Sequence, residues 1–187
     1  RWAASSPAKW RIYGTGGEYN NGSTTLPSQE YGPLADTWTA RSYLNIGVSN
    51  VGAGVIGDVI YVPGGYSGQS GTTQNALQAY YPLEDRAATI TSDPLPAPRF
   101  GAGVAVAGGK LYVIGGSDDT LHAMDTLFVY DPALPAGSRW QTIAPMPTAR
   151  VYLGAATVNG IIYAVGGIPG GLTDLNTVEA YNPSTDT

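Results

Sequence analysis

At 187 residues the chain falls within the usual range of one domain. Its 43% hydrophobic content against 12% charged, with 26 glycines and 14 prolines, favours many short strands joined by tight turns over long amphipathic helices. A net charge of −5 excludes an electrostatic grip on DNA or RNA, which depends on neutralising phosphates with Lys and Arg. The lack of cysteine excludes a disulfide framework, a thiolate metal site and a cysteine nucleophile, and no apolar run approaches the roughly 20 residues of a membrane-crossing helix.

Along the chain the predicted elements repeat. In the first unit Ile12-Tyr13 runs to the pair Gly16-Gly17, a further strand ends at Tyr31-Gly32-Pro33, and Trp38 marks an outer strand. Ala3 to Lys9 is poorly patterned where an inner strand is expected. The second unit has the small-residue stretch Gly52-Ala53-Gly54-Val55, the run Val59-Ile60-Tyr61-Val62 before Gly64-Gly65, then Tyr80-Tyr81-Pro82, with Ile90 or a neighbour at the outer position. The third reads Gly101-Ala102-Gly103-Val104, Leu111-Tyr112-Val113-Ile114, Gly115-Gly116, Tyr130-Asp131-Pro132 and Trp140. The fourth reads Gly154-Ala155-Ala156-Thr157-Val158, Ile162-Tyr163-Ala164-Val165, Gly166-Gly167 and Tyr181-Asn182-Pro183, and the sequence stops at Thr187 before an outer strand. The units are approximately 1–47, 48–98, 99–149 and 150–187, within one domain.

Each mark has a physical reading. A short β-branched and aromatic run without polar alternation predicts a strand covered on both faces, so neighbouring sheets must stack on it and a lone unit should not fold. The glycine pair ends that strand where the backbone needs positive φ or a close approach to a neighbour. Proline after the tyrosine ends the next strand, because it cannot donate to a sheet ladder. Gly and Ala in the preceding stretch suit an innermost strand, where sheets converge on an axis.

This arrangement resembles the kelch family over essentially the whole chain, and unit three matches the family pattern best, from Arg99-Phe100-Gly101 through Gly115-Gly116 and Tyr130-Asp131-Pro132 to Trp140. The resemblance implies an all-β, kelch-type β-propeller with about four antiparallel four-stranded blades in this chain. Kelch rings usually have six or seven blades, so a segment of a longer chain is expected, with a small closed ring or a multi-chain ring as alternatives. Unit two departs from the pattern with Val48 where the others carry Arg1, Arg99 and Arg150.

Catalytic readings fall away one by one. Gly52-Ala53-Gly54-Val55-Ile56-Gly57 spells a dinucleotide fingerprint, but a strand rather than a helix follows it. His122 is the only histidine and reads as a solvated loop side chain, and a copper site like that of kelch-type galactose oxidases would need several histidines and a cysteine. Asp118, Asp119 and Asp125 lack EF-hand spacing and read as a polar hairpin tip. Neither a metal nor any other cofactor is expected. Asn21-Gly22-Ser23 matches the glycosylation sequon and supports an exposed loop. Trp38 and Trp140 are expected to pack between blades rather than stack on a ligand.

The sharpest candidates are Arg1, Arg99 and Arg150, which share one repeat position just before the innermost strand. The kelch resemblance implies that such arginines face the mouth of the ring and take carboxylates; the competing reading is that they brace loop carbonyls. The expected function is a non-catalytic binding scaffold for a protein or acidic peptide. The alternatives are a carbohydrate-binding or mutarotase-like sugar-processing propeller and a spacer module of a larger surface protein. Two lysines among much Ala, Gly, Ser and Thr are the composition expected of a secreted bacterial protein.

Overall fold

A computed structural model describes residues 4–8, 11–19, 21–24, 27–171 and 173–187. The described residues form antiparallel sheets and contain no helix. The first blade runs from its inner to its outer strand as β1 (Ala4–Ala8), β2 (Arg11–Thr15), β3 (Pro27–Gly32) and β4 (Thr37–Tyr43). The second comprises β5 (Gly54–Ile56), β6 (Val59–Pro63), β9 (Leu77–Tyr81) and β10 (Arg86–Thr89), with a small ribbon of β7 (Tyr66–Ser67) and β8 (Thr72–Thr73) between β6 and β9. In the third, β11 (Gly103–Ala107), β12 (Lys110–Ile114), β13 (Leu127–Tyr130) and β14 (Trp140–Ile143) lie in chain order. The last has three described strands, β15 (Gly154–Val158), β16 (Ile161–Val165) and β17 (Val178–Tyr181). The all-β, bladed architecture expected from the sequence is the one the chain adopts.

Inner strands pack on one another, β5 against β11 and β11 against β15, and this explains their small residues. A Cβ on Gly54 would lie 2.6 Å from Val106 Cγ2 and 2.5 Å from Leu111 Cδ1, both on the next blade. The glycine pairs work the same way with backbone. In the first three blades the second glycine donates its N–H to the carbonyl of the residue at the arginine position of the following blade: Gly17 to Val48 (2.8 Å), Gly65 to Arg99 (2.7 Å) and Gly116 to Arg150 (2.9 Å). A Cβ on the first glycine would sit 2.6, 2.4 and 2.6 Å from those same carbonyl oxygens, at positions 16, 64 and 115. Since the link uses only the carbonyl, unit two accepts Val48 where its neighbours carry arginine.

The rim holds a second link. Tyr80 Oη donates to Asp85 Oδ1 (2.7 Å), and that oxygen also accepts the N–H of Ser42 on blade one (2.8 Å). Tyr31 with Asp36 (2.7 Å) and Tyr181 with Asp186 (2.8 Å) repeat the pair, and Asp186 accepts the N–H of Ala144 on blade three (3.2 Å). Blade three carries a longer turn after Tyr130. There Asp93 does the linking, taking the N–H of Gly137 (2.8 Å), while its carbonyl accepts the indole N–H of Trp140 (3.0 Å).

Three expectations need correction. Of the four strands that run into the glycine pairs, β12 alone is buried along nearly its whole length; β2 and β16 alternate, because a blade covers both faces of a strand only where it has a neighbour on each side. The outer position of unit two is Ala87, which pairs with Tyr80 as Trp140 pairs with Tyr130, and not Ile90. Of the two tryptophans, Trp140 packs between blades two and three, whereas Trp38 is 56% exposed and stacks on Tyr31 at 5.1 Å.

Candidate functional site

Register shows which loops share an end of each blade. In blade three Gly103 is opposite Ile114, Ile114 opposite Leu127, and Leu127 opposite Ile143, so the loop after the glycine pair and the segment entering the inner strand emerge together. Isolated bridges join them in three blades: Ser49 with Tyr66, Phe100 with Ser117, and Val151 with Ile168. This end is the mouth.

The entering segments are threaded to one another. Gly101 donates its N–H to Asn50 O and Tyr152 donates to Gly101 O, both at 2.7 Å. These three equivalent residues all hold left-handed backbone, with φ of 53°, 62° and 59° for Asn50, Gly101 and Tyr152. Glycine and asparagine accept that region readily, whereas a tyrosine is strained there by roughly 1–2 kcal/mol. The loops after the glycine pairs are tied as well. Thr24 Oγ1 accepts Gly68 N–H (3.1 Å), and Asp119 Oδ1 accepts both the N–H (2.8 Å) and the hydroxyl (2.6 Å) of Thr73.

These ties frame a cleft of about 490 Å³ lined by Asn50, Tyr66, Gly71, Phe100, Asp119, Leu121 and Tyr152, contributed by three blades. Phe100 forms the buried part and contacts the Tyr152 ring at 5.9 Å, while Tyr152 is 49% and Leu121 76% exposed. Leu121 is held at φ 61° by a turn in which its N–H meets Asp118 O and Asp118 Oδ1 takes the N–H and hydroxyl of Thr120. Those bonds from Thr120 hold the Asp118 carboxyl below the usual carboxylate range, so it is ionised at neutral pH. Among the described residues the other non-glycine positions with positive φ are Asp36, Asp85, Asn159 and Asp186, residue types that tolerate it. The two bulky residues kept in this strained region both line the mouth cleft.

The expected arginines are placed differently from one another. Arg150 is fully buried and bonds its own blade: Nη1 donates to Gly166 O (3.0 Å) and Thr177 O (2.9 Å), and Nη2 to Glu179 Oε2 (2.8 Å). Arg99 is 5% exposed, donates Nη1 to Pro98 O (2.7 Å), and lies 5.0 Å above the Phe128 ring, with its Nε buried and unpartnered. Burial pulls the Arg99 guanidinium pKa down and Asp118 pushes it back up, with a net lowering. Neither lines the cleft, although Phe100 follows Arg99 and Tyr152 stands two residues beyond Arg150. Arg1 lies outside the described residues. His122 is exposed, and among the described residues no three histidine or carboxylate side chains gather to hold a metal.

Sequence reasoning missed Tyr66, Phe100, Leu121 and Tyr152. Tyr152 offered a signal, an aromatic at the position that the other units fill with Asn50 and Gly101. Leu121 offered another, an apolar residue directly after the polar run Ser117-Asp118-Asp119-Thr120.

A family model described as the kelch motif matches residues 98–147 and 149–187. Similar proteins include "Kelch-like protein 23" of Pongo abelii, 34% identical over 174 residues and 92% of this chain, and that of Homo sapiens at 33% over the same share. "Kelch-like protein 26" of Danio rerio is 28% identical over 178 residues. The chain spans about 29% of the length of these curated relatives. A solved structure entitled "Structure of YjhT" superposes with a TM-score of 0.75 at 18% identity, over 88% of this chain and 58% of that one. These relatives lend no support to the secreted bacterial setting expected from composition.

Proposed function

This chain belongs to the kelch-repeat β-propeller family, and from that premise we propose that it is a non-catalytic interaction scaffold which takes a segment of a partner protein in the mouth cleft between blades two, three and four. A protein-binding role is the one the kelch-like relatives favour. One observation carries the placement: Leu121 and Tyr152 are held at φ 61° and 59° while largely exposed in the same cleft. Strained backbone that presents apolar side chains to water contributes nothing to stability, and such strain clusters where a surface does work. The neighbouring loops are tied to one another across blades, so the cleft is formed before a partner arrives and little ordering cost remains.

Arg99 and Arg150 enter this reading from beneath the surface. They fix the segments that present Phe100 and Tyr152, and each keeps its Nε–H buried without a partner. A second reading, a glycan ligand, draws on the stacking faces of Tyr66 and Tyr152 beside Asn50 and Asp119. Selection from a random peptide library followed by affinity measurement on Tyr152→Asn and Leu121→Asn separates the two. Selected peptides should bind both variants at least tenfold more weakly; an empty selection with a positive glycan array would replace the proposal by the sugar reading.

A further inference from the structure

The charge around the mouth is one-sided where solvent meets it. Among the described residues, the loops that follow the glycine pairs carry Glu18, Asp118, Asp119, Asp125 and Asp174, and the cationic side chains of the segments that enter the inner strands are Arg99 and Arg150. Both arginines are buried, so neither presents its charge to a ligand in the bulk. Asp119, Asp125 and Asp174 are exposed, and Glu18 accepts a hydrogen bond from Ser49, next to Asn50 of the cleft lining. The lining itself holds three aromatic rings, one leucine and one carboxylate, and no cationic side chain.

From this composition we infer that the mouth cleft recognises a basic segment, seating a lysine or arginine side chain of the partner among Tyr66, Phe100 and Tyr152 with its charge toward Asp119. The aromatic faces attract a cation through their quadrupole, and the attraction strengthens where walls exclude water. Asp119 is already oriented, because the N–H and hydroxyl of Thr73 hold Oδ1; a partner's guanidinium or ammonium would add to a carboxylate that need not move. Leu121 covers the aliphatic stem of such a side chain. The inference reverses the sign of the partner charge expected from the arginine repeat, and the reason is burial: guanidinium groups spent on carbonyls, on Glu179 or over Phe128 leave the carboxylates to set the field.

This inference rests on the mouth-cleft reading, and its test uses the whole 187-residue chain. Fluorescein-labelled Arg-Gly, Glu-Gly and Ser-Gly nonapeptides are titrated by fluorescence polarisation at about 50 and 300 mM salt, a range that screens exposed charges. The Arg-Gly peptide should bind, more weakly at the higher salt, and the other two at least tenfold less tightly. Asp119→Asn, which keeps an oxygen for Thr73, and Tyr152→Asn, which places the residue of the equivalent position 50 at the same backbone angles, should each weaken it at least fivefold. Asp174→Asn, on the same end but outside the cleft lining, removes only a distant part of the field and should weaken it by less than twofold. Tighter binding of the Glu-Gly peptide, absence of binding by all three, or Arg-Gly binding indifferent to Asp119→Asn and Tyr152→Asn overturns the inference. Library-selected peptides that prove acidic or neutral yet depend on Tyr152 would overturn the basic partner alone and leave the mouth-cleft reading standing.

Discussion

Blades three and four are built from closely matching sequence, yet the same marks end in different surroundings. Leu111-Tyr112-Val113-Ile114 is buried throughout, while in Ile162-Tyr163-Ala164-Val165 only Ile162 and Ala164 are. Arg99 and Arg150 occupy one repeat position, but the residue two before each blade's Tyr-x-Pro tyrosine is Phe128 in one and Glu179 in the other. Glu179 draws Arg150 into a buried ion pair; Phe128 leaves Arg99 stacked with one internal bond. A repeat position therefore sets where a side chain starts, and the neighbouring strand decides what it does.

The largest effects should come from breaking the arginine half of this comparison. Arg150→Met strands the Glu179 carboxylate and the carbonyls of Gly166 and Thr177, which should cost about 3–5 kcal/mol in urea denaturation. Arg99→Met, which gives up one carbonyl bond and a buried charge, should stay within about 1 kcal/mol of the parent. If the double change Arg150→Met with Glu179→Phe, which copies blade three into blade four, recovers most of the loss, the partner rather than the position sets the role of the arginine. Equal losses for the two single variants would refute the comparison.

Next come the glycines. Gly115→Ala meets both a left-handed backbone and the Arg150 carbonyl 2.6 Å from the new Cβ, and should cost about 3 kcal/mol or more. Gly166→Ala has the same φ problem, but its nearest atom is Leu175 O at 3.5 Å, so about 1–2 kcal/mol is expected. The difference between the two measures what the neighbouring blade adds.

Acid should act on the rim. The N–H of Ser42 and then the hydroxyl of Tyr80 hold Asp85 below the usual carboxylate range. A carboxyl with a depressed folded-state pKa contributes stability that is complete above its unfolded value, near 4, and is lost as pH falls through the lower folded value. Stability should thus decline below about pH 4, and Asp85→Asn should flatten that limb while lowering stability at neutral pH. A decline equally steep in Asp85→Asn would place the acid sensitivity elsewhere. Smallest of all is the stability change in Tyr152→Asn. It relieves bulky left-handed strain and should shift the unfolding free energy by no more than about 1 kcal/mol, even as partner binding falls.

Much of the fold was legible because its signals are local. Gly16-Gly17, Gly64-Gly65 and Gly115-Gly116 announce a turn that admits a neighbouring carbonyl, and the tyrosine-proline marks end the third strand of each blade. The candidate site was less legible. Its lining comes from three blades, and only the inter-blade threading of Asn50, Gly101 and Tyr152 brings Tyr66 and Leu121 beside Phe100. The arginines were conspicuous in sequence for their period, but burial is set by residues such as Glu179 and Phe128, some 30 positions downstream, which the repeat pattern does not constrain.

The location of the working surface is open to one direct measurement. With tyrosine rings isotopically labelled, NMR spectra recorded during titration with a library-selected peptide compare the mouth with the cleft of about 530 Å³ at the opposite end, which Tyr112 lines. The account predicts that the Tyr66 and Tyr152 signals move in step with saturation while Tyr112 stays still. Movement of Tyr112, with Tyr66 and Tyr152 unaffected, would contradict it.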